Sequence, residues 1–394
     1  MSLTTVDSGL ISSGAITLTT QVTGTLPEAN GGTGTTVGYC GFKNRIINGG
    51  MVIDQRNAGA SVTSTGTTYT VDRWQGQGTV DTSKFSVQQS TSVVPPNFTV
   101  SAKITSLSAY SPTTAAIQSF KQVIEVGNIA DNGWGTSSAV PMTLGFWVRS
   151  SVTGTFSGAV TRADSSTVVR SFVFTYEISS ANTWEYKTAV ISADTDSTYV
   201  YVTTQSNEGA QVRFDLGSSS TKLSSTVGSW QTGNYFGATS ATKLLATNGA
   251  TFYITGVQLE RGSTATSFDY RPYGTELALC QRYYQQYNST GDNAGFICNG
   301  YNDTTTRSFA TIQFPVIMRT SPSLAIVSAT SFGVYGVPAN SLALTGITLL
   351  GSASLPSSIG LILTVSSGLT AGQGTVLKDV GANANGRIQL SAEL

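Results

Sequence analysis

The chain has 394 residues, of which only 11% are charged, so it exceeds one domain of about 150 residues and falls far below the roughly 25% charge of an average globular protein. Lys and Arg number 21, Asp and Glu number 21, and His 0, which excludes a partner held mainly by phosphate or anionic-lipid attraction and removes Ser-His-Asp and Cys-His catalysis. Its 42 glycines follow no collagen period, and the low charge excludes coiled coils and charge-rich disordered tails.

Residues 1–36 alternate Thr, Val and Leu with Gly or Pro every few positions, and Ala15 to Leu18 form the one aliphatic cluster. Such a segment is too poor in large apolar groups to close a core. Extended, it reaches at most roughly 110 to 130 Å, which suits a tether or an intertwined stalk. It has no basic start followed by an apolar run, so no secretory signal is expected.

Residues 37–274 turn to runs rich in Val, Thr, Phe, Tyr and Trp. Strands are predicted at Lys84 to Gln88, Met142 to Val148, Thr167 to Thr175, Thr183 to Ile191, Thr198 to Thr204 and Ala250 to Leu259. Several alternate with period two, as in Phe172-Val173-Phe174-Thr175-Tyr176, and are bounded by Gly, Asn, Asp and Ser. Spread over so long a stretch, they predict an antiparallel sandwich of the jelly-roll kind.

Residues 275–287 read as a linking helix, with Thr275 as N-cap, Glu276 in the first turn, and Leu277, Cys280, Tyr284 and Tyr287 on one stripe. Beyond it, 288–394 returns to strands at Arg307 to Phe314, Ser323 to Val327, Ala343 to Leu350, Gly360 to Val365 and Arg387 to Ala392. The expected fold class is therefore all-β: an extended N-terminal anchor, an antiparallel jelly-roll sandwich, a short linking helix and a smaller C-terminal β tip domain. The apolar stretch Leu342 to Val365 is broken by Gly346, Gly351 and Pro356 and is no membrane span. Cys40, Cys280 and Cys298 form no CxxC pair, so reduced thiols are expected, with a Cys280–Cys298 bridge as the alternative.

Three segments carry a resemblance. Leu26-Pro27-Glu28-Ala29-Asn30-Gly31-Gly32-Thr33-Gly34 is similar to an element repeated along phage fibre shafts. Asn44-Arg45-Ile46-Ile47-Asn48-Gly49-Gly50-Met51-Val52-Ile53-Asp54-Gln55-Arg56-Asn57, followed by Tyr69 to Trp74, is the second. The third runs from Ile254 to Glu260 through Phe268-Asp269-Tyr270-Arg271-Pro272 and Cys280-Gln281-Arg282-Tyr283-Tyr284 to Phe314 to Arg319. Together these resemble tailed-bacteriophage tail-fibre and virion appendage proteins. The resemblance implies a carbohydrate-binding-module-like sandwich, a homotrimer, and a tail protein of the virion assembled in the host bacterial cytoplasm. Other virion tail proteins and host-surface glycan would be its partners. Attachment to the virion would use Leu10, Ile11, Ile16, Leu18 and Leu26.

Candidate sites have both packing and ligand readings. The stretch Ile46 to Ile53 reads as an apolar strand interrupted by Gly49-Gly50, and Arg73 and Trp74 as packing residues. Glu260, Arg261, Asp269 and Arg271 read as ion pairs locking the exit from the sandwich, and Asp194 and Asp196 as a solvated turn, since the loop lacks the glycine and distal glutamate of a calcium loop. Sugar recognition asks for an aromatic platform beside neutral hydrogen bonders. Asn299, Tyr301, Asn302, Asp303, Phe332 and Tyr335 are the candidates for that role. No catalytic residue, metal or cofactor is expected, nor any nucleic-acid partner or membrane insertion. The functional expectation is a tail fibre or tail-tip protein that recognises host glycan. Its alternatives are a head fibre, adaptor or decoration protein without a receptor role and, against the lack of His and of β-helix repetition, a glycan depolymerase.

Overall fold

The structure, a computed structural model, describes residues 42–163, 169–198, 204–289, 295–336, 340–380 and 386–394. The proposed attachment residues Leu10, Ile11, Ile16, Leu18 and Leu26 lie outside the described residues, as does most of the strand expected at 198–204. In chain order the first part contributes β1 (Val62–Thr63), β2 (Gly66–Tyr69), β3 (Trp74–Thr79), β4 (Phe85–Ser90), β5 (Ser101–Ser106), β6 (Ile117–Glu125), β7 (Met142–Ser150) and β8 (Gly154–Ala163). It continues with β9 (Val169–Ile178), β10 (Glu185–Ile191), β11 (Glu208–Asp215), β12 (Leu223–Ser224), β13 (Trp230–Thr232), β14 (Gly237–Ala238) and β15 (Thr251–Arg261).

Apart from β12 and β14, which pair with each other in parallel, these strands make two facing antiparallel sheets, one in the order β1-β4-β5-β15-β7-β10 and one in the order β13-β9-β8-β11-β6-β3-β2. Period two decides what lies between them. Leu144, Phe146 and Val148 of β7 point inward with no exposed surface and meet Phe120, Phe156 and Phe214 from the other sheet. Phe146 sits edge-on to Phe214 and Tyr176, with centroids 5.0 Å apart in each case, and Trp74 stacks on Phe120 at 4.8 Å. Burying each such side chain is worth about 1.5–3 kcal/mol. The fold is all-β, as its alternating runs predict.

After β15 comes the one α-helix among the described residues, α1 (Tyr273–Gln281), capped at Pro272. It is shorter than expected and starts earlier, so Thr275 lies in its first turn rather than at the cap. Tyr284 and Tyr287 are not on the helix. They belong to β16 (Tyr284–Asn288), whose partner is supplied about a hundred residues later.

The remaining strands are β17 (Phe296–Asn302), β18 (Arg307–Gln313), β19 (Ser323–Val327), β20 (Phe332–Gly336), β21 (Asn340–Ala343), β22 (Gly346–Leu355), β23 (Ser358–Thr364), β24 (Gly374–Asp379) and β25 (Arg387–Ser391). They form a three-stranded sheet, β16-β25-β19, and a seven-stranded one, β21-β20-β24-β17-β18-β23-β22. A second apolar core that includes Ile312, Phe332, Leu361, Leu377 and Leu390 lies between them. Cys280 and Cys298 are both free thiols.

Ile46 to Ile53 is not a strand. It is a turn-rich segment whose apolar side chains Ile46, Ile47, Met51 and Ile53 are nevertheless buried. Its left-handed residues are Asn48 and Met51, at φ 56° and 60°. Gly49 is needed instead for close approach, because a Cβ there would lie 2.1 Å from the Val257 carbonyl oxygen. Asn48 replaces a strand ladder with its side chain, donating to the carbonyls of Ile53 and Asp72 at 2.8 and 2.9 Å.

This segment and α1 meet the last residues of the chain. Arg73, whose side chain is 1% exposed, ion-pairs with Glu393, donates to the Val123 carbonyl at 2.6 Å and lies 3.4 Å from the Tyr283 ring centroid. Arg56 reaches the same carboxylate at 3.0 Å and covers the Tyr284 ring. Arg282 pairs with Glu125 at 2.9 Å. Ile47, Ile53, Cys280 and Tyr283 close an apolar cluster beside these charges.

Two outcomes follow from these burials. Removing one partner of a buried pair leaves an uncompensated charge, so Glu393→Ala should lose about 3–5 kcal/mol of stability in urea unfolding, and the double change Arg73→Met with Glu393→Leu should lose less. Burial, against hydrogen bonds from Ser218, raises the Asp215 carboxyl to about 6. The folded state therefore keeps this proton at a pH where the unfolded chain has released it, and the contribution present below about pH 4 is lost as pH climbs to about 6. Asp215→Asn lacks that slope, so its stability relative to the parent should rise across this window by up to about 3 kcal/mol.

Candidate functional site

The outward residues of β7 are those that alternate with its core set: Thr143, Gly145, Trp147 and Arg149. Trp147 is directly opposite Tyr186 of the edge strand β10, and their rings are 5.5 Å apart. Gly145 makes room for this pair, since a Cβ there would meet the Tyr186 hydroxyl at 2.3 Å. On the other side of Trp147, the β15 register slips between Thr255 and Gln258. Gly256 occupies the slip at φ +62°, and a Cβ on it would lie 2.6 Å from the Phe98 ring and 3.1 Å from Trp147. A bulge with a glycine thus brings two aromatic rings down onto the sheet.

Residues 262–272 return across this face and are fastened by β15. Glu260 accepts from the Thr266 amide at 2.8 Å, the Thr266 hydroxyl at 2.6 Å and Gln258 at 2.9 Å, while Gln258 accepts from the Asp269 amide at 2.7 Å. The return places Phe268 edge-on to Phe98 at 5.2 Å and to Tyr270 at 4.9 Å. Tyr270 donates to the Asn97 carbonyl at 2.5 Å.

Two adjoining cavities result, with Phe268 as their shared wall. One, of about 220 Å³, lies among Trp147, Tyr186, Gly256, Gln258 and Thr266. The other, of about 230 Å³, lies among Val52, Asn97, Phe98, Tyr270 and Arg271. The charges at their edges are committed elsewhere. Arg271 lies 3.4 Å from Glu276 and 3.7 Å from Asp269, and Glu260 is 4% exposed and engaged as above. Burial, together with the nearby Glu260 charge, raises the Tyr186 phenol, and burial raises that of Tyr270, so both stay neutral donors. Aromatic faces beside neutral amides and hydroxyls, with no free carboxylate, suit a ligand with an apolar face and a hydroxyl rim.

The residues singled out in the C-terminal unit divide by strand parity. Asn299, Tyr301 and Tyr335 are exposed and share one face of β17, β24 and β20, with Asn299 and Tyr335 on either side of Val376. Phe332, three residues before Tyr335, points the other way and is fully buried in the core. Asn302 also turns inward, donating to the Thr370 carbonyl at 3.2 Å and accepting from Ser308 at 2.6 Å. Asp303 is paired with Arg307 four residues on. Phe332 and Asn302 are therefore structural, and the exposed three remain on the surface.

Asp194 is not a solvated turn residue. It is 2% exposed and takes Arg162 at 2.8 Å and Arg170 at 2.9 Å, with Asp196 also on Arg170 at 3.1 Å. Glu260 and Arg271 do fasten the exit from the sandwich, Arg271 as an ion pair and Glu260 through neutral donors. Trp147 and Tyr186 escaped the sequence reading. The signal was the run Leu144-Gly145-Phe146-Trp147-Val148, in which an inward Leu, Phe and Val force the Trp to face outward. Among the described residues no cluster of His, Cys, Asp and Glu could hold a metal ion, and no helix is long and apolar enough to cross a membrane.

No family model matches the sequence, and no curated protein does. Solved structures do match. A putative sugar binding protein from Bacteroides thetaiotaomicron shares 12% identity over 55% of this chain and 99% of its own, with a TM-score of 0.33. The enzymatically active domain of bacteriophage CBA120 tailspike protein 4 shares 15% over 56% of this chain, with a TM-score of 0.28, and the match spans only 21% of that chain. A family 11 carbohydrate-binding module from Clostridium thermocellum shares 8% over 52% of this chain and 97% of its own, with a TM-score of 0.24. At these identities and TM-scores the likeness carries no argument about what this chain does.

The two glycines of the site predict different outcomes. Gly145→Ala meets the far end of a flexible ring, so it should shift the near-ultraviolet circular dichroism of Tyr186 and Trp147 while stability changes by less than about 1 kcal/mol. Gly256→Ala meets two packed rings on a left-handed backbone and should cost about 1–3 kcal/mol in thermal unfolding.

Proposed function

We propose that the protein is a glycan-binding appendage of a tailed phage, a tail fibre or tail-tip component that holds host-surface sugar in the groove on either side of Phe268. The observation that carries this reading is the pair of adjoining cavities walled by Trp147, Tyr186, Phe268, Phe98 and Tyr270, with neutral hydrogen bonders on their rims and with Arg271 and Glu260 at their edges engaged by other protein groups. Such a groove stacks sugar rings and leaves their hydroxyls to Gln258, Thr266 and Asn97, so the protein binds without cleaving. The fibre-like motif at Leu26 to Gly34 and the tether composition of residues 1–36 support a virion-attached homotrimer. Three linked copies raise a weak affinity per site by orders of magnitude when all can engage.

Binding of the full-length protein to host-surface polysaccharide, measured by calorimetry, should weaken at least tenfold, about 1.4 kcal/mol, in Trp147→Ala. Tyr301→Ala, on the C-terminal unit, should bind like the parent. Loss of binding in Tyr301→Ala with retention in Trp147→Ala would move the site to that unit. No binding by the parent would favour a purely structural virion component.

A further inference from the structure

The outer face of the second sheet carries a constellation that the glycan groove does not use. Lys121 of β6 stands directly opposite Arg213 of β11, and Gln211, two residues along β11, shares their face. Glu208 is three residues before Gln211 and in a regular strand would point the other way. The register slip between Glu208 and Ala210 inserts Gly209 and restores Glu208 to the face of Gln211 and Arg213. Only glycine fits there, because a Cβ on residue 209 would lie 2.8 Å from the Val126 Cα.

Lys121, Arg213 and Glu208 converge on the Gln211 amide. Lys121 Nζ donates to Gln211 Oε1 at 3.2 Å, and Arg213 Nη2 donates to the same oxygen. Gln211 Nε2 donates to Glu208 Oε1 at 2.5 Å. Lys121 is 6% exposed and Arg213 4%. Burial first, and then the Arg213 charge, hold the Lys121 ammonium down at about 7, which leaves a large share of it as the neutral, nucleophilic amine near neutral pH.

We propose that Lys121 and Gln211 become joined by an amide bond, formed by the folded protein itself and linking β6 to β11. The Lys121 Nζ lone pair attacks Gln211 Cδ, and the carbonyl π pair moves onto Oε1, where the Arg213 guanidinium holds the developing negative charge. Glu208 takes the proton released by Nζ and returns it to Nε2. The Cδ–Nε2 bond then breaks, ammonia leaves with that proton, and the carbonyl re-forms. One amine and one primary amide become one secondary amide and one ammonia, with no change of oxidation state and no added reactant. Strand pairing supplies the proximity that makes an otherwise slow aminolysis intramolecular, and burial keeps competing water away.

Protease digestion and mass spectrometry of the purified full-length chain test this. The expected result is one joined peptide containing Lys121 and Gln211, and an intact chain lighter by one ammonia. Lys121→Arg and Gln211→Leu should abolish the joined peptide. Because either change disturbs a buried site, Glu208→Gln is the second probe: it should remain folded by circular dichroism yet accumulate the unjoined, full-mass chain. Recovery of Lys121 and Gln211 only in separate peptides from the folded parent, after prolonged incubation at pH 8, would overturn the proposal. A joined peptide formed as fast in Glu208→Gln as in the parent would overturn the role given to Glu208.

Discussion

The buried contact between Arg73 and Glu393 joins side chains 320 positions apart and ties the first β unit to the end of the second. Alone, either charge would be costly at that depth, and the pair is weak evidence for stability in itself. Its effect is selective. Only when α1, β16 and β25 reach their places do Arg73, Arg56, Tyr283 and Glu393 compensate one another. A chain that docked its second unit in another register would strand at least one charge.

Elsewhere the sheets gain chemistry by departing from regular pairing. At Gly256 an extra residue lowers Phe98 and Trp147 onto the outer face of one sheet. At Gly209 another turns Glu208 towards Gln211 on the outer face of the other. Both glycines fill positions where a Cβ has no space, so their absent side chains are part of each site.

What could be read from sequence follows from how local each determinant is. Period two placed strands such as Ser323–Val327 and Met142–Ser150 well, because inward and outward residues differ in kind. The helix overran because Tyr284 to Asn288 take their ladder from Arg387 to Ser391, a partner invisible in any local window. Ile46 to Ile53 has the composition of a strand but packs as turns, since the Asn48 side chain satisfies the Ile53 amide and carbonyl and the Gly49 carbonyl accepts from Val257 of β15. Asp194 looked solvated because its partners Arg162 and Arg170 arrive from strands β8 and β9. The aromatic groove was half legible: the outward Trp147 follows from its neighbours, whereas the return of Phe268 depends on the fastening by Glu260 and Gln258.

The Asp194 cluster bears on the groove in one more way. Strand β10, which carries Tyr186, lies at the edge of its sheet, where a strand paired on one side would ordinarily fluctuate. The segment leaving it is held by Arg162 and Arg170 through Asp194, by Gly135 through the Asp194 carbonyl at 2.7 Å, and by Trp230 through the Ser192 carbonyl at 2.7 Å. One rim of the groove is thereby ordered before any ligand arrives. Its conformational entropy is surrendered during folding rather than on binding, which allows a shallow site with few contacts to retain a useful affinity.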